Sequence, residues 1–151
     1  MVNLITQGFP GETPLGISPG GKVATAGHWY QLGDPGSVIA LASPPSGFLL
    51  ESSTVGINDA GDQARFLVKI GPENLVYPFR YHDGAFQQIS FIPTGHLSSY
   101  GVGSINDAQD ITATVQSTGM IAAGPSGSLQ ELADLVSPAY AGSALTTVGP
   151  M

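Results

Sequence analysis

The chain has 151 residues, 42% of them hydrophobic, which is enough apolar material to bury a core and too much for a disordered segment. Eleven acidic residues against four scattered basic ones (Lys22, Arg65, Lys69, Arg80) give a formal charge of −7, which argues against a nucleic-acid partner. The lack of cysteine excludes disulfides, thiolate zinc sites and cysteine nucleophiles, and no apolar run reaches the roughly 18 residues that a membrane-spanning helix needs.

Charged residues make up only 10% of the chain, whereas 21 glycines and 12 prolines separate its short apolar runs. That is the profile of an all-β protein rich in turns. The start, Met1 to Gln7, has neither a basic stretch nor a long apolar one, so an exported protein would carry its signal upstream or have lost it.

In chain order, Asn3-Leu4-Ile5-Thr6 reads as the last strand of a preceding unit. Gly16-Ile17-Ser18-Pro19-Gly20-Gly21-Lys22 then opens a motif that returns as Gly56-Ile57-Asn58-Asp59-Ala60-Gly61-Asp62 and as Ser104-Ile105-Asn106-Asp107-Ala108-Gln109-Asp110. Its isoleucines lie 40 and 48 residues apart, and Val148-Gly149-Pro150-Met151 puts Met151 a further 46 residues on. Each copy predicts a strand entering a tight turn, where Asn and Asp bond to the backbone, and a second strand leaving it over Lys22 to Ala26, Asp62 to Ile70 and Asp110 to Gln116.

A second hairpin is expected in every copy. Val38-Ile39-Ala40-Leu41 would turn at Pro44-Pro45-Ser46-Gly47 into Phe48-Leu49-Leu50-Glu51, and Val76 to Tyr81 would turn at His82-Asp83-Gly84 into Phe86 to Ile89. Met120 to Ala123 would turn at Gly124-Pro125-Ser126-Gly127 into Leu129 to Leu132, although Leu129 to Leu135 also suits a helical turn. Aligned on the isoleucines, Arg65 falls opposite Ala113 and Ala64 opposite Thr112. Either a residue slips between copies or both faces of these strands are partly buried.

Four short strands per unit predict an all-β repeat of four-stranded units, a partial or oligomer-completed β-propeller, with a β-sandwich or β-solenoid as the alternative. The organisation read from this is one repeat domain over 1–151, with an orphan strand in 1–13, repeats at approximately 14–53, 54–101 and 102–146, and the start of another at 147–151.

With Gly56-Ile57-Asn58-Asp59-Ala60-Gly61 and Pro78-Phe79-Arg80-Tyr81-His82-Asp83-Gly84, the second copy resembles the HAF-type "probable extracellular repeat" proteins of bacteria. The likeness spans roughly residues 14 to 151. Copy one departs from it at Ser18-Pro19-Gly20-Gly21, and copy three at Ser104 and Gln109. The resemblance implies an extracellular or envelope-associated propeller-like array, with no catalytic or ligand-binding residues to carry over.

Two groups of residues invite a chemical reading. Asn58, Asp59 and Asp62, and again Asn106, Asp107 and Asp110, gather oxygen ligands that Ca2+ favours, but three per loop fall short of its six to eight and lack EF-hand order, so turn capping is the preferred account. His28, Trp29 and Tyr30 offer an aromatic platform of the kind that stacks on a sugar, against packing between units as the plainer account. Tyr77, Phe79, Tyr81 and Phe86 suggest cross-strand aromatic packing. His28, His82 and His96 stand far apart in sequence and no nucleophile elbow is present, so no enzyme chemistry and no cofactor are expected.

Two functions follow as expectations. The first is a non-enzymatic extracellular or envelope interaction module of a bacterium, completed by a protein partner, by further repeats or by self-association, since open sheet edges invite pairing and two three-unit chains would close a ring of six by symmetry. The second is a small-ligand module for carbohydrate at His28, Trp29 and Tyr30; the trio does not recur in the other copies.

Overall fold

The structure is a computed structural model, and it describes residues 12–51, 55–72, 75–90, 100–115, 118–125 and 127–131. Thirteen short strands in these residues form three antiparallel sheets, an all-β architecture as the turn-rich composition predicts. The proposed strand at 3–6 and the half-motif at 148–151 lie outside the described residues.

Sheet A is a meander of β1 (Gly16–Ile17), β2 (Lys22–Ala24), β3 (His28–Gln31) and β4 (Ile39–Ala40). Sheet B holds β5 (Phe48–Leu50), β6 (Gly56–Ile57), β7 (Gln63–Lys69), β8 (Val76–His82) and β9 (Ala85–Gln88). Sheet C is a second four-stranded meander, β10 (Tyr100–Ile105), β11 (Ile111–Val115), β12 (Thr118–Ala122) and β13 (Gln130–Glu131). Of the Leu129 to Leu135 segment Gln130–Glu131 is therefore a strand, and 132–135 lie outside the described residues.

One expected hairpin does not form. Ile39–Ala40 pairs back onto β3, while Phe48–Leu50 pairs with β7 in the next sheet, so Pro44-Pro45-Ser46-Gly47 is a crossover and not a hairpin turn. Two consecutive prolines, which remove backbone donors, suit a link between sheets better than a two-strand turn. β5 and β6 lie end to end along one edge of β7, covering its Leu67 to Lys69 and Gln63 to Ala64 stretches respectively. The single strand β10 does both tasks for β11, with a register shift between Val102 and Ile105 where sheet B has its break.

The other expected turns form. Asp83 and Gly84, with φ of 48° and 74°, close β8 onto β9 with His82 opposite Ala85, the two-residue hairpin whose left-handed residues match the strand twist. Phe48, Phe79, Phe86, Tyr77 and Tyr81 pack edge to face across this sheet, with centroid separations from 4.9 to 6.5 Å.

Sheet B lies between the other two, which resolves the phase conflict between copies. Alternate residues point to opposite faces. Ile57 packs with Ala24, Val55 and Trp29 on the sheet A side, whereas Ala64, Phe66 and Val76 join Ile105, Ile111, Ala113 and Met120 on the sheet C side. Gln63 to Leu67 and Ile111 to Ala113 are all buried, so both faces of these strands are covered and no residue slips.

The sheets approach so closely that two glycines are required. A Cβ on Gly16 would sit 1.9 Å from the Val55 carbonyl oxygen, and one on Gly56 3.0 Å from the Ser104 backbone. A bond from Val55 N–H to the Leu15 carbonyl, at 3.2 Å, stitches the first of these contacts. Backbone cannot yield as a side-chain tip can, so Gly16→Ala should cost at least about 2–3 kcal/mol in urea unfolding, with Gly56→Ala costing less.

Candidate functional site

The motif that repeats in sequence builds one continuous feature, a stack of three turns. In each, the residue after the isoleucine closes a backbone loop: Ser18 N–H donates to Lys22 O (2.8 Å), Asn58 N–H to Asp62 O (3.1 Å) and Asn106 N–H to Asp110 O (3.1 Å). The residue three further on donates back, Gly21 to Ser18, Gly61 to Asn58 and Gln109 to Asn106. These donors have φ of 84°, 99° and 64°, a left-handed conformation natural for glycine and costly at Gln109.

The Asn side chains then fill the loops. Asn58 Oδ1 accepts from Gly61 N–H (3.0 Å) and Asp62 N–H (2.8 Å), and Asn106 Oδ1 accepts from Asp110 N–H (2.9 Å). Their amides donate to Asp62 Oδ2 and Asp110 Oδ2 at 3.2 and 3.0 Å. In the first turn Ser18 Oγ plays the shorter part, accepting from Lys22 N–H at 3.1 Å. Asn58, Asp62, Asn106 and Asp110 are thereby engaged in turn closure.

Neighbouring turns are bonded to one another. Gly20 N–H donates to Asp59 Oδ1 (2.7 Å), Asp59 N–H to Asp107 Oδ1 (3.2 Å) and Asn58 Nδ2 to the Asn106 carbonyl (3.0 Å). The Ser18 hydroxyl and the Gly20 amide hold the Asp59 carboxyl below its ordinary range, and the Asn106 amide and Gly124 N–H do so for Asp110. Pro19, Asn58, Asp59, Ile105, Asn106 and Asp107 line a shallow cleft of about 110 Å³ along the stack. Among the described residues, no group of three or more His, Asp or Glu side chains converges as metal ligands would.

Two buried arginines on opposite faces of sheet B tie it to its neighbours, and their role was not visible in sequence. Arg65 reaches the carbonyls of Thr25 (2.5 Å) and Ala26 (3.3 Å) at the β2–β3 turn, with Nε donating to Gln63 Oε1 at 2.7 Å. Arg80 donates to the carbonyls of Gly124 (2.7 Å), Gln109 (3.2 Å) and Pro125 in sheet C. Burial lowers the pKa of both, to about 10 for Arg65, and leaves each a cation. Glu12, which receives the Thr25 hydroxyl, Gly27 N–H and His28 Nδ1, supplies an attractive charge to Arg65.

The strand pleat divides His28, Trp29 and Tyr30. His28 meets Glu12 at 3.2 Å, Trp29 lies 3.2 Å from where a Gly61 Cβ would be with Lys22 Nζ 4.3 Å from its ring centroid, and Tyr30 is fully buried with Val23 and Val38 on the opposite face. Adjacent residues of a strand do not share a face, so the three do not make one flat platform.

His82 sits at the seam between sheets B and C. Its Nδ1 lies 2.7 Å from Asp62 Oδ1 and 3.1 Å from the Gln109 side-chain amide, and Asp83 Oδ2 lies 3.3 Å from its Nε2. The bond to Asp62, aided by the charges of Asp62 and Asp83, raises the His82 pKa. A raised folded-state pKa stabilises the protein fully below the ordinary imidazole value of about 6.5, and this contribution is lost as pH rises through the folded-state value. The melting-temperature gap between wild type and His82→Gln should be widest below pH 6.5 and shrink above it; a gap independent of pH would remove the imidazolium from the account. Asn58→Ala leaves buried turn donors without an acceptor and should cost about 2–3 kcal/mol in urea unfolding.

No protein-family model, no curated protein and no solved structure matches this chain.

Proposed function

We propose that the chain is a non-enzymatic structural and interaction module: a propeller-like array of β-units from an extracellular or envelope protein, in which one edge is left for another chain to cover. The observation that carries this is Ile17. It holds the motif position of Ile57 and Ile105, which are 5% and 4% exposed, yet it is itself 62% exposed. Each of the buried isoleucines is covered by the sheet that precedes it, Ile57 against Ala24 and Ile105 against Ala64.

Two further features support an architectural role over a reaction. The His, Asp and Glu side chains described above are bonded to turns, to backbone amides or to one another within structural seams. The two arginines, whose guanidinium cations could otherwise pair with an anionic substrate, are buried against backbone carbonyls. The low charge and turn-rich composition, with the resemblance of the second copy to extracellular repeats, favour the cell exterior.

Light scattering on the folded chain should give a mass above the 15.4 kDa of one copy at micromolar concentration, with a β-type circular dichroism spectrum. A folded monomer under those conditions would contradict completion by self-association.

A further inference from the structure

A strand at the end of a sheet presents a row of unpaired N–H and C=O groups, and proteins blunt such edges by keeping them short or by placing charge or proline on them. The last strands of sheets A and C follow this rule. β4 is two residues long, with Leu41 N–H tied back to the Gly27 carbonyl and Pro44-Pro45 soon after, and β13 is two residues long and carries Glu131. β9, which ends sheet B, does not. Its four residues, Ala85-Phe86-Gln87-Gln88, and the Ile89 that follows hold neither charge nor proline, and Ala85, Gln87 and Gln88 are exposed.

The open side of β9 can be assigned residue by residue. Ile89 N–H donates to the Pro78 carbonyl at 3.0 Å and Ala85 faces His82 across the two-residue turn, so Ala85, Gln87 and Ile89 turn their backbone groups toward β8. Phe86 and Gln88 therefore turn theirs away, and no backbone hydrogen bond reaches those groups among the described residues. What fits them is another extended backbone. In an antiparallel pairing of two β9 strands about a two-fold axis at Gln87, Phe86 lies opposite Gln88 of the second copy, and each such pair exchanges both of its backbone bonds. The two Gln87 side chains meet at the axis, where each amide can both donate and accept.

Charge favours this contact in a chain of net −7. Asp83 is the acidic residue nearest to β9 in sequence, and the register sets the two Asp83 carboxyls roughly 27 Å apart along the strands, beyond the screening length of about 8 Å. We infer that two copies pair edge to edge through β9, in a closed two-fold dimer that joins their sheets B into one. A two-fold contact uses each edge once and cannot grow further through it. The inference rests on the self-association proposed above and needs no contact at Ile17.

Three single substitutions in the full chain test it. Gln88→Pro removes an outward N–H and leaves the β8–β9 ladder intact, and Gln87→Glu sets two carboxylates face to face at the axis. By light scattering, each should weaken the dimer at least about tenfold with an unchanged β-type circular dichroism spectrum. Because the natural chain has no cysteine, Gln87→Cys carries a single thiol, and its Cβ would lie about 5 Å from that of the second copy. On mild oxidation it should form a disulfide-linked dimer at least about tenfold faster than Ile70→Cys. Ile70, 58% exposed and next to the end of β7, controls for random collision. Either of the first two variants dimerising like wild type, or equal oxidation rates, would overturn the edge contact while leaving self-association standing. A monomeric wild type would instead overturn the self-association on which it rests.

Discussion

The structure depends on the satisfaction of backbone amides inside tight turns that press against one another. A turn buried beneath its neighbour cannot turn to water for its hydrogen bonds, so each N–H needs a partner supplied by the chain. Asn58 supplies them in the middle turn: one oxygen takes two amides, and one nitrogen reaches both Asp62 and the next turn's carbonyl. The spacing of the sheets follows from this stack. It brings backbone to backbone at Gly16 and Gly56 and sets Ile57 and Ile105 beneath the preceding sheets.

Sheet B answers to neighbours on two sides, and its sequence shows the consequences. A strand buried on one face alternates apolar with polar residues, but the first five residues of β7, Gln63-Ala64-Arg65-Phe66-Leu67, are all buried. Placing Arg65 and Arg80 there is expensive, because a buried cation loses its hydration. The cost is offset by backbone carbonyls that would otherwise lie unpaired at the β2–β3 turn and at the turns of sheet C. Each arginine clasps one neighbour, so the middle sheet fixes both.

The parts of this arrangement that were legible in sequence are those governed by local chemistry. The turns at Asn58 and Asn106, and the Asp83-Gly84 hairpin, form where they were expected because their bonds run among residues a few positions apart. The destination of Phe48–Leu50 was not legible, since the choice between returning to β4 and crossing to β7 is made by packing on a strand that comes later in the chain. The arginine clasps were hidden for a related reason: a backbone carbonyl some 40 residues away has no sequence signature. The same holds for the Asp62–His82 pair, twenty residues apart and joined only when the two hairpins of one unit fold together.

If the stacked turns and the two clasps bind the three sheets into one cooperative unit, no sheet should unfold alone. The single tryptophan, Trp29, reports on sheet A at its contact with Gly61, whereas far-ultraviolet circular dichroism reports on all three sheets. Urea unfolding of the wild-type chain followed by both signals is the most direct test. Coincident transitions, with one midpoint and one slope, are what this account predicts; loss of Trp29 fluorescence at a lower urea concentration than the dichroism signal would show that sheet A detaches by itself, and would contradict the claim that the turn stack holds the sheets together.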